Sequence, residues 1–341
     1  MVPVLPFALG AAAVMVPAWW IWRRVWRKPS APTEAELARR TSSGAHSAGM
    51  RWRRLRDGSR VVFHEFGAPE GRVVVALHGI GVTGRMYAAH DGLFRARGVR
   101  CIAPTLVGGW SEPAPQSTLA DLARTAVGLV DELGIEKFDV IGSSFGTLPG
   151  LALCALVPAR VTRAGLFGPL LPGPWLAANA KLLNGARPND RLLWSMAARF
   201  PAGLYPMMAL FGAAPRRAQV RSFIDDSLSD AERASLQPGH PFHDEVASLL
   251  EEGGQRGFWG MALGTEIAFG RPPGFTLEQV GQGGVPLHLE VGERDNAHLP
   301  AFAEYLHRHV RHSTVHRVPG VGRFNAMGPL LEAGLARYLS L

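Results

Sequence analysis

The chain of 341 residues is 47% apolar and 19% charged, a balance that excludes global disorder and suits one large domain with an insertion or two small domains. Two cysteines, Cys101 and Cys154, are too few for a disulfide scaffold, and both lie in apolar runs, as small core residues of a reducing compartment do. The net charge of +8 is no nucleic-acid signal: residues 1–60 hold 11 Arg and Lys against 3 Asp and Glu, and beyond them 25 of each sign cancel.

Residues 1–22 carry no charge and are followed at once by Arg23, Arg24, Arg27 and Lys28, with Trp19, Trp20, Trp22 and Trp26 at the junction. A span needs about 20 apolar residues, and aromatic side chains collect at membrane interfaces. Residues 1–28 are therefore expected to be an apolar membrane anchor, with the basic flank holding the folded body in the cytoplasm. Pro3, Pro6 and Pro17 interrupt the segment, so a cytoplasmic or an exported protein is the alternative. A secretory signal normally has positive charge ahead of its apolar core, and none stands here. Residues 29–48, rich in Pro, Ser, Ala, Thr and Gly, read as a linker.

Beyond the linker, residues 50–66 suggest a hairpin around Asp57-Gly58. Residues 73–77 form a continuous apolar run, expected of a strand buried on both faces. A helix over 85–97 and a strand over 99–103 follow. Residues 117–134 give the clearest helix, with Leu119, Leu122, Ala126, Leu129, Val130 and Leu133 on one face, Thr118 and Asp121 as a capping box, and Gly134 as terminator. Then come a strand at 138–141, a helix at 145–156 and a strand at 161–167. This alternation builds a mostly parallel sheet with helices on both faces, an α/β fold. From 170 to 280 no strand pattern occurs, and helices are expected over 191–210, 217–228, 229–236, 242–252 and 255–268. A strand at 285–291, a helix at 300–310, a strand at 314–318 and a last helix to Leu341 resume the rhythm. The organisation is thus a core in two parts, 49–169 and 281–341, separated by an all-helical insertion at 170–280.

Gly142-Ser143-Ser144-Phe145-Gly146 matches G-x-S-x-G between a strand and a helix, the context in which a serine hydroxyl is thrust above a sheet on a sharp turn. His78-Gly79-Ile80-Gly81 ends the 73–77 strand. By position, the backbone N–H groups of Ile80 and Phe145 are the pair that could receive a developing oxyanion, and the His78 side chain reads as a brace for the loop.

These motifs, with Pro104…Gly108-Gly109-Trp110-Ser111 between them and Gly292-Glu293-Arg294-Asp295 after the insertion, resemble the α/β-hydrolase superfamily, esterase-like and with a helical cap, over residues 50–341. The resemblance implies that the insertion is a mobile cap shaping the pocket, that Ser144 is a nucleophile, and that Asp295 is the triad acid; the plain alternative for Asp295 is a turn aspartate. The family's last motif, Pro-Gly-x-Gly-His, ends in the general base, whereas this chain reads Pro319-Gly320-Val321-Gly322-Arg323. An arginine side chain does not give up its proton at neutral pH, so Arg323 marks the place of a missing histidine.

Three readings follow. Another histidine substitutes, His298 before His316, His240 or His243. Or the pocket survives for ligand binding or scaffolding in an inactive homologue, with an Arg323–Asp295 ion pair filling the base site. Or Arg323 stabilises an anion in unusual chemistry. The expectation taken forward is hydrolysis of a carboxylic ester or related acyl bond on a small apolar substrate, with the inactive homologue as alternative. No cofactor is implied, no histidine spacing suggests a metal, and no nucleic-acid motif is present.

Overall fold

The computed structural model describes residues 30, 32–42, 49–111, 113–255 and 258–341. The expected anchor at 1–28 lies outside the described residues, among which no helix is long and apolar enough to cross a membrane. The stretch read as a linker departs from that expectation. Residues 34–42 form helix α1 (Glu34–Ser42), started by a Thr33–Glu36 cap in which the Glu36 N–H donates to Thr33 Oγ1 at 3.2 Å and the Thr33 N–H to Glu36 Oε2 at 2.8 Å. Leu37 supplies the missing reason for order: it is fully buried against Met50 and Val62.

The sheet has eight strands: β1 (Met50–Arg54), β2 (Arg60–Gly67), β3 (Arg72–Leu77), β4 (Val99–Thr105), β5 (Phe138–Ser143), β6 (Val161–Phe167), β7 (Leu287–Gly292) and β8 (Ser313–Val318). Their order is β1-β2-β4-β3-β5-β6-β7-β8; β2 runs antiparallel to both of its neighbours and all other pairs are parallel. The apolar run of β3 shows why the sheet is covered twice. Val75 and Leu77 enter one core, Val74 and Ala76 the other, because successive side chains of a strand point to opposite faces. Helices α2 (Asp91–Ala96) and α14 (Gly328–Ser340) cover the second face, while α3 (Leu119–Glu132), α4 (Thr147–Leu156) and α13 (Pro300–His309) cover the first. The capping box of Thr118 and Asp121 starts α3, and both cysteines are free and buried.

Between β6 and β7 the described residues contain no strand. Helices α5 (Gly173–Ala178), α6 (Pro188–Arg199), α7 (Leu204–Ala213), α8 (Arg216–Arg221), α9 (Asp230–Ser235), α10 (Pro241–Gly253), α11 (Trp259–Phe269) and α12 (Leu277–Gln282) follow one another. The single helix expected over 191–210 is two, because Pro201 has no N–H to donate and closes α6, which turns through Pro201–Gly203 into α7. The segment has a core of its own, with Val220, Leu228, Leu236, Phe242, Val246 and Leu250 packed on Phe324 from the chain's last loop. Salt-bridged Arg85 and Glu252, with Thr83 donating to Glu252 at 2.7 Å, tie α10 to the loop after β3.

Two buried histidines, His64 on β2 and His78 just after β3, carry a stability consequence. His78 is fully enclosed: its Nδ1–H donates to the Gly79 carbonyl at 2.7 Å, and its Nε2 accepts the Leu106 N–H at 3.0 Å, which fixes the neutral ring as the brace expected of it. His64 on β2 is fully buried with no hydrogen-bond partner on either ring nitrogen. Burial lowers both from 6.5 to about 4, with the Arg85 and His78 charges adding to the effect on His64. Between those two pH values the unfolded chain binds protons that the folded one refuses, so stability rises with pH there and is lost as pH falls. The melting temperature should drop as pH is lowered through that window, and His64→Phe should flatten the slope; a wild-type melting temperature constant across the window would contradict this.

Candidate active site

Parallel strands deliver their C-terminal ends to one edge of the sheet, where α/β folds bind ligands. Here that edge gathers the loops after β3, β5, β7 and β8 beneath the helical segment. Ser144 sits at the end of β5 with φ of 51°, the one non-glycine residue with positive φ among the described residues. Left-handed backbone at a serine is a strained conformation that persists only where the surroundings enforce it. The two glycines of the motif enforce it by close approach. A Cβ on Gly146 would lie 2.1 Å from the Leu77 carbonyl oxygen, and one on Gly142 would lie 2.7 Å from the Gly146 carbonyl oxygen. Ser143 is turned away, its hydroxyl donating to the Ala326 carbonyl.

The group facing the Ser144 hydroxyl is His298. Its Nε2 lies 2.8 Å from Ser144 Oγ, and its Nδ1 lies 2.8 Å from Asp295 Oδ2. The other oxygen, Asp295 Oδ1, accepts the N–H groups of Ala297 and His298, both at 2.8 Å. Asp295 and His298 thus share one loop after β7 and are three residues apart. Asp295 is buried; burial pushes its carboxyl up, but the His298 ring, the hydrogen bonds from His298 and the Arg323 charge together hold it below the usual carboxylate range. Gly168, at the end of β6, leaves the space the imidazole occupies, since a Cβ there would lie 2.9 Å from His298 Cγ.

The remaining expected residues fall as follows. Ile80 and Phe145 line the same cavity as Ser144 and His298, with Gly79 directly beside the serine. The other histidines do not line it. His240 accepts the Phe242 N–H at the start of α10, His243 meets Asp244 at 2.9 Å, and His316 sits on the edge strand β8. Arg323 is at the cavity wall but makes no ion pair with Asp295, contrary to that expectation. Both Asp295 oxygens are already taken by its own loop, and Arg323 turns instead to Asn296 Oδ1 at 3.0 Å, Asp225 at 3.1 Å and Asp190 at 3.6 Å. Burial lowers the Arg323 pKa, against the pull of Asp190, but a guanidinium so surrounded remains a cation. Asp190, Asp225 and Asn296 were not singled out from sequence; the acidic residues lie in the helical stretch, where nothing in the spacing marks them.

The cavity itself holds about 420 Å³ and is mainly apolar, walled by Trp194, Met207, Met208, Phe211 and Phe269, with charged groups from Arg187, Asp190 and Arg323 beside the Ser144–His298 end. No metal-ligating cluster occurs among the described residues.

Residues 74–333 match the family described as Alpha/beta hydrolase family. The chain belongs to that family. Its curated relatives include the 2-hydroxymuconate semialdehyde hydrolase of Pseudomonas putida, 30% identical over 208 residues, or 60% of this chain. The match spans 66% of that relative's length, just under two thirds. A second, shorter likeness is to the homoserine O-acetyltransferase of Thermus thermophilus, 42% identical over 65 residues, covering 19% of this chain and 17% of the relative. Among solved structures, a hydrolase from Pseudomonas aeruginosa superposes with a TM-score of 0.62 at 18% identity over 86% of this chain and 100% of that one. An esterase from Thermogutta terrifontis gives 0.59 at 18% identity over 85% and 98%. At such identities the superpositions establish the α/β-hydrolase fold of this family member and no more.

Proposed function

We propose that this α/β-hydrolase cleaves a carboxylic ester or related acyl bond on a small apolar substrate, with Ser144 as nucleophile, His298 as general base and Asp295 as its acid partner. The observation that carries the reading is the unbroken line from Asp295 Oδ2 through His298 to Ser144 Oγ, both links at 2.8 Å. The hydrogen-bond network assigns the tautomer: Nδ1–H donates to the carboxylate, leaving Nε2 as the lone pair that receives the serine proton. Attack of Oγ on the acyl carbon forms a tetrahedral oxyanion beside the backbone N–H groups of Ile80 and Phe145. His298 then returns the proton to the leaving alcohol, and water repeats the sequence to free the acid. The apolar wall of the cavity supports an apolar acyl or alcohol group, and the hydrolase relatives support hydrolysis as the reaction class.

Ester turnover by the full chain tests the reading. Wild type should hydrolyse p-nitrophenyl butyrate, and Ser144→Ala should lose at least about 10³-fold in kcat. Equal turnover by the two would remove Ser144 from the chemistry. A wild type that is folded, binds the ester and turns over nothing would favour the inactive ligand-binding homologue that Arg323 first suggested.

A further inference from the structure

The loop that ends in Arg323 is fastened to the helical segment through both backbone and side chain. Glu232 of α9, itself buried, accepts the Gly322 N–H at 2.9 Å and the Phe324 N–H at 3.2 Å. The Arg323 side chain is 9% exposed and lies between two carboxylates of that segment, Asp190 in α6 and Asp225 after α8. Asp225 also holds Arg187 at 3.0 Å, and the Arg187 N–H donates to the Asn296 carbonyl at 3.2 Å. The Arg323 guanidinium reaches Asn296 Oδ1 at 3.0 Å, the residue between Asp295 and the segment Ala297-His298. The position that would carry a base therefore carries a guanidinium whose Nη2 meets both the Asp295–His298 loop and two carboxylates of the cavity's roof.

We propose that Arg323 is a positioning residue: it clamps Asn296 to Asp225 and Asp190, and so holds the loop that aims His298 at Ser144. The idea rests on the reading of His298 as base. Asp295 and His298 are only three residues apart on a single loop, so the acid cannot brace the base from an independent element. An external anchor is what fixes that loop against the β5 turn. Arginine suits the task because its planar guanidinium stays charged when buried and sets Nη2 rigidly among the Asn296, Asp225 and Asp190 oxygens, which a lysine ammonium on a flexible stem does not reproduce. Small misplacements of a catalytic group cost on the order of 10²-fold in rate.

The test uses the full chain with p-nitrophenyl butyrate and five proteins besides wild type: Arg323→Met, Asn296→Ala, their double variant, Arg323→Lys and His298→Ala. Asn296→Ala removes the Arg323 link to the catalytic loop, with the 3.4 Å bond from Asn296 Nδ2 to Asp225, and leaves the buried ion pairs intact, so it carries the test alone should Arg323→Met fail to fold. Each single variant should lower kcat by about 10- to 100-fold with KM changed less than about threefold. The double variant should be no worse than the poorer single one, since both remove one link. Arg323→Lys should fall between wild type and Arg323→Met. Wild-type kcat in Asn296→Ala, or losses that multiply in the double variant, would overturn the proposal. His298→Ala separates the two ideas: if it kills turnover while Asn296→Ala and Arg323→Met do not, positioning by Arg323 fails and the base stands; if it turns over normally, the base reading itself fails.

Discussion

Replacing His298 by alanine should lower kcat/KM for p-nitrophenyl butyrate by about 10⁴-fold, roughly 5.5 kcal/mol of transition-state stabilisation. A serine hydroxyl is a poor nucleophile until a neighbouring base takes its proton during attack. The ring at 2.8 Å from Ser144 Oγ is, among the described residues, the one histidine lining the cavity, and Arg323, the residue in the family's base position, is permanently charged. With the ring gone, what remains is rate enhancement from the oxyanion donors and from binding in the apolar cavity. The comparison requires matched melting temperatures, because His298 packs on Gly168 and truncation leaves a small void. A loss of less than about tenfold would mean that another group receives the proton.

Asp295→Asn should cost about 10³- to 10⁴-fold in kcat with little change in KM. Here the reason is the direction of hydrogen bonds. The carboxylate accepts from the Ala297 and His298 N–H groups on one oxygen and from His298 Nδ1 on the other. An asparagine of the same shape keeps its oxygen toward the two backbone donors and presents its NH₂ to Nδ1. The ring then answers with the opposite tautomer, placing its N–H at Nε2 and pointing a donor at Ser144 where an acceptor is needed. The charge matters as well: in the proposed mechanism, Asp295, held ionised by its surroundings, would stabilise the imidazolium that forms during attack. Stopped assays at neutral pH on protein of unchanged melting temperature would check this, and turnover within tenfold of wild type would contradict it.

The sequence and the structure diverge in instructive places. Strand and helix order, the β5 turn and the capping box at Thr118 were legible because each depends on neighbours within a few residues. The order in residues 34–42 was not, because its cause is Leu37 meeting Met50 and Val62, a contact across the chain. Pro201 was visible, yet the apolar pattern on both sides of it masked the break between α6 and α7. The site shows the same division. Ser144 and Asp295 stand in motifs, whereas His298 was only the first of several histidines, since its role depends on the opening left by Gly168 and on loop geometry. The Arg323–Asp295 pair failed as an expectation because spacing does not reveal that the Ala297 and His298 N–H groups already occupy the carboxylate. Asp190 and Asp225, which do receive Arg323, come from a helical stretch whose tertiary path has no periodic signature.

The most direct measurement is the rate at which a fluorophosphonate modifies the full chain, with the modified peptide mapped by mass spectrometry. Ser144 should be the site in wild type, and His298→Ala, folded to the same melting temperature, should react at least about 10²-fold more slowly at that residue. Equal labelling of Ser144 with and without the histidine, or a folded wild type in which Ser144 stays unmodified, would contradict a serine activated by His298.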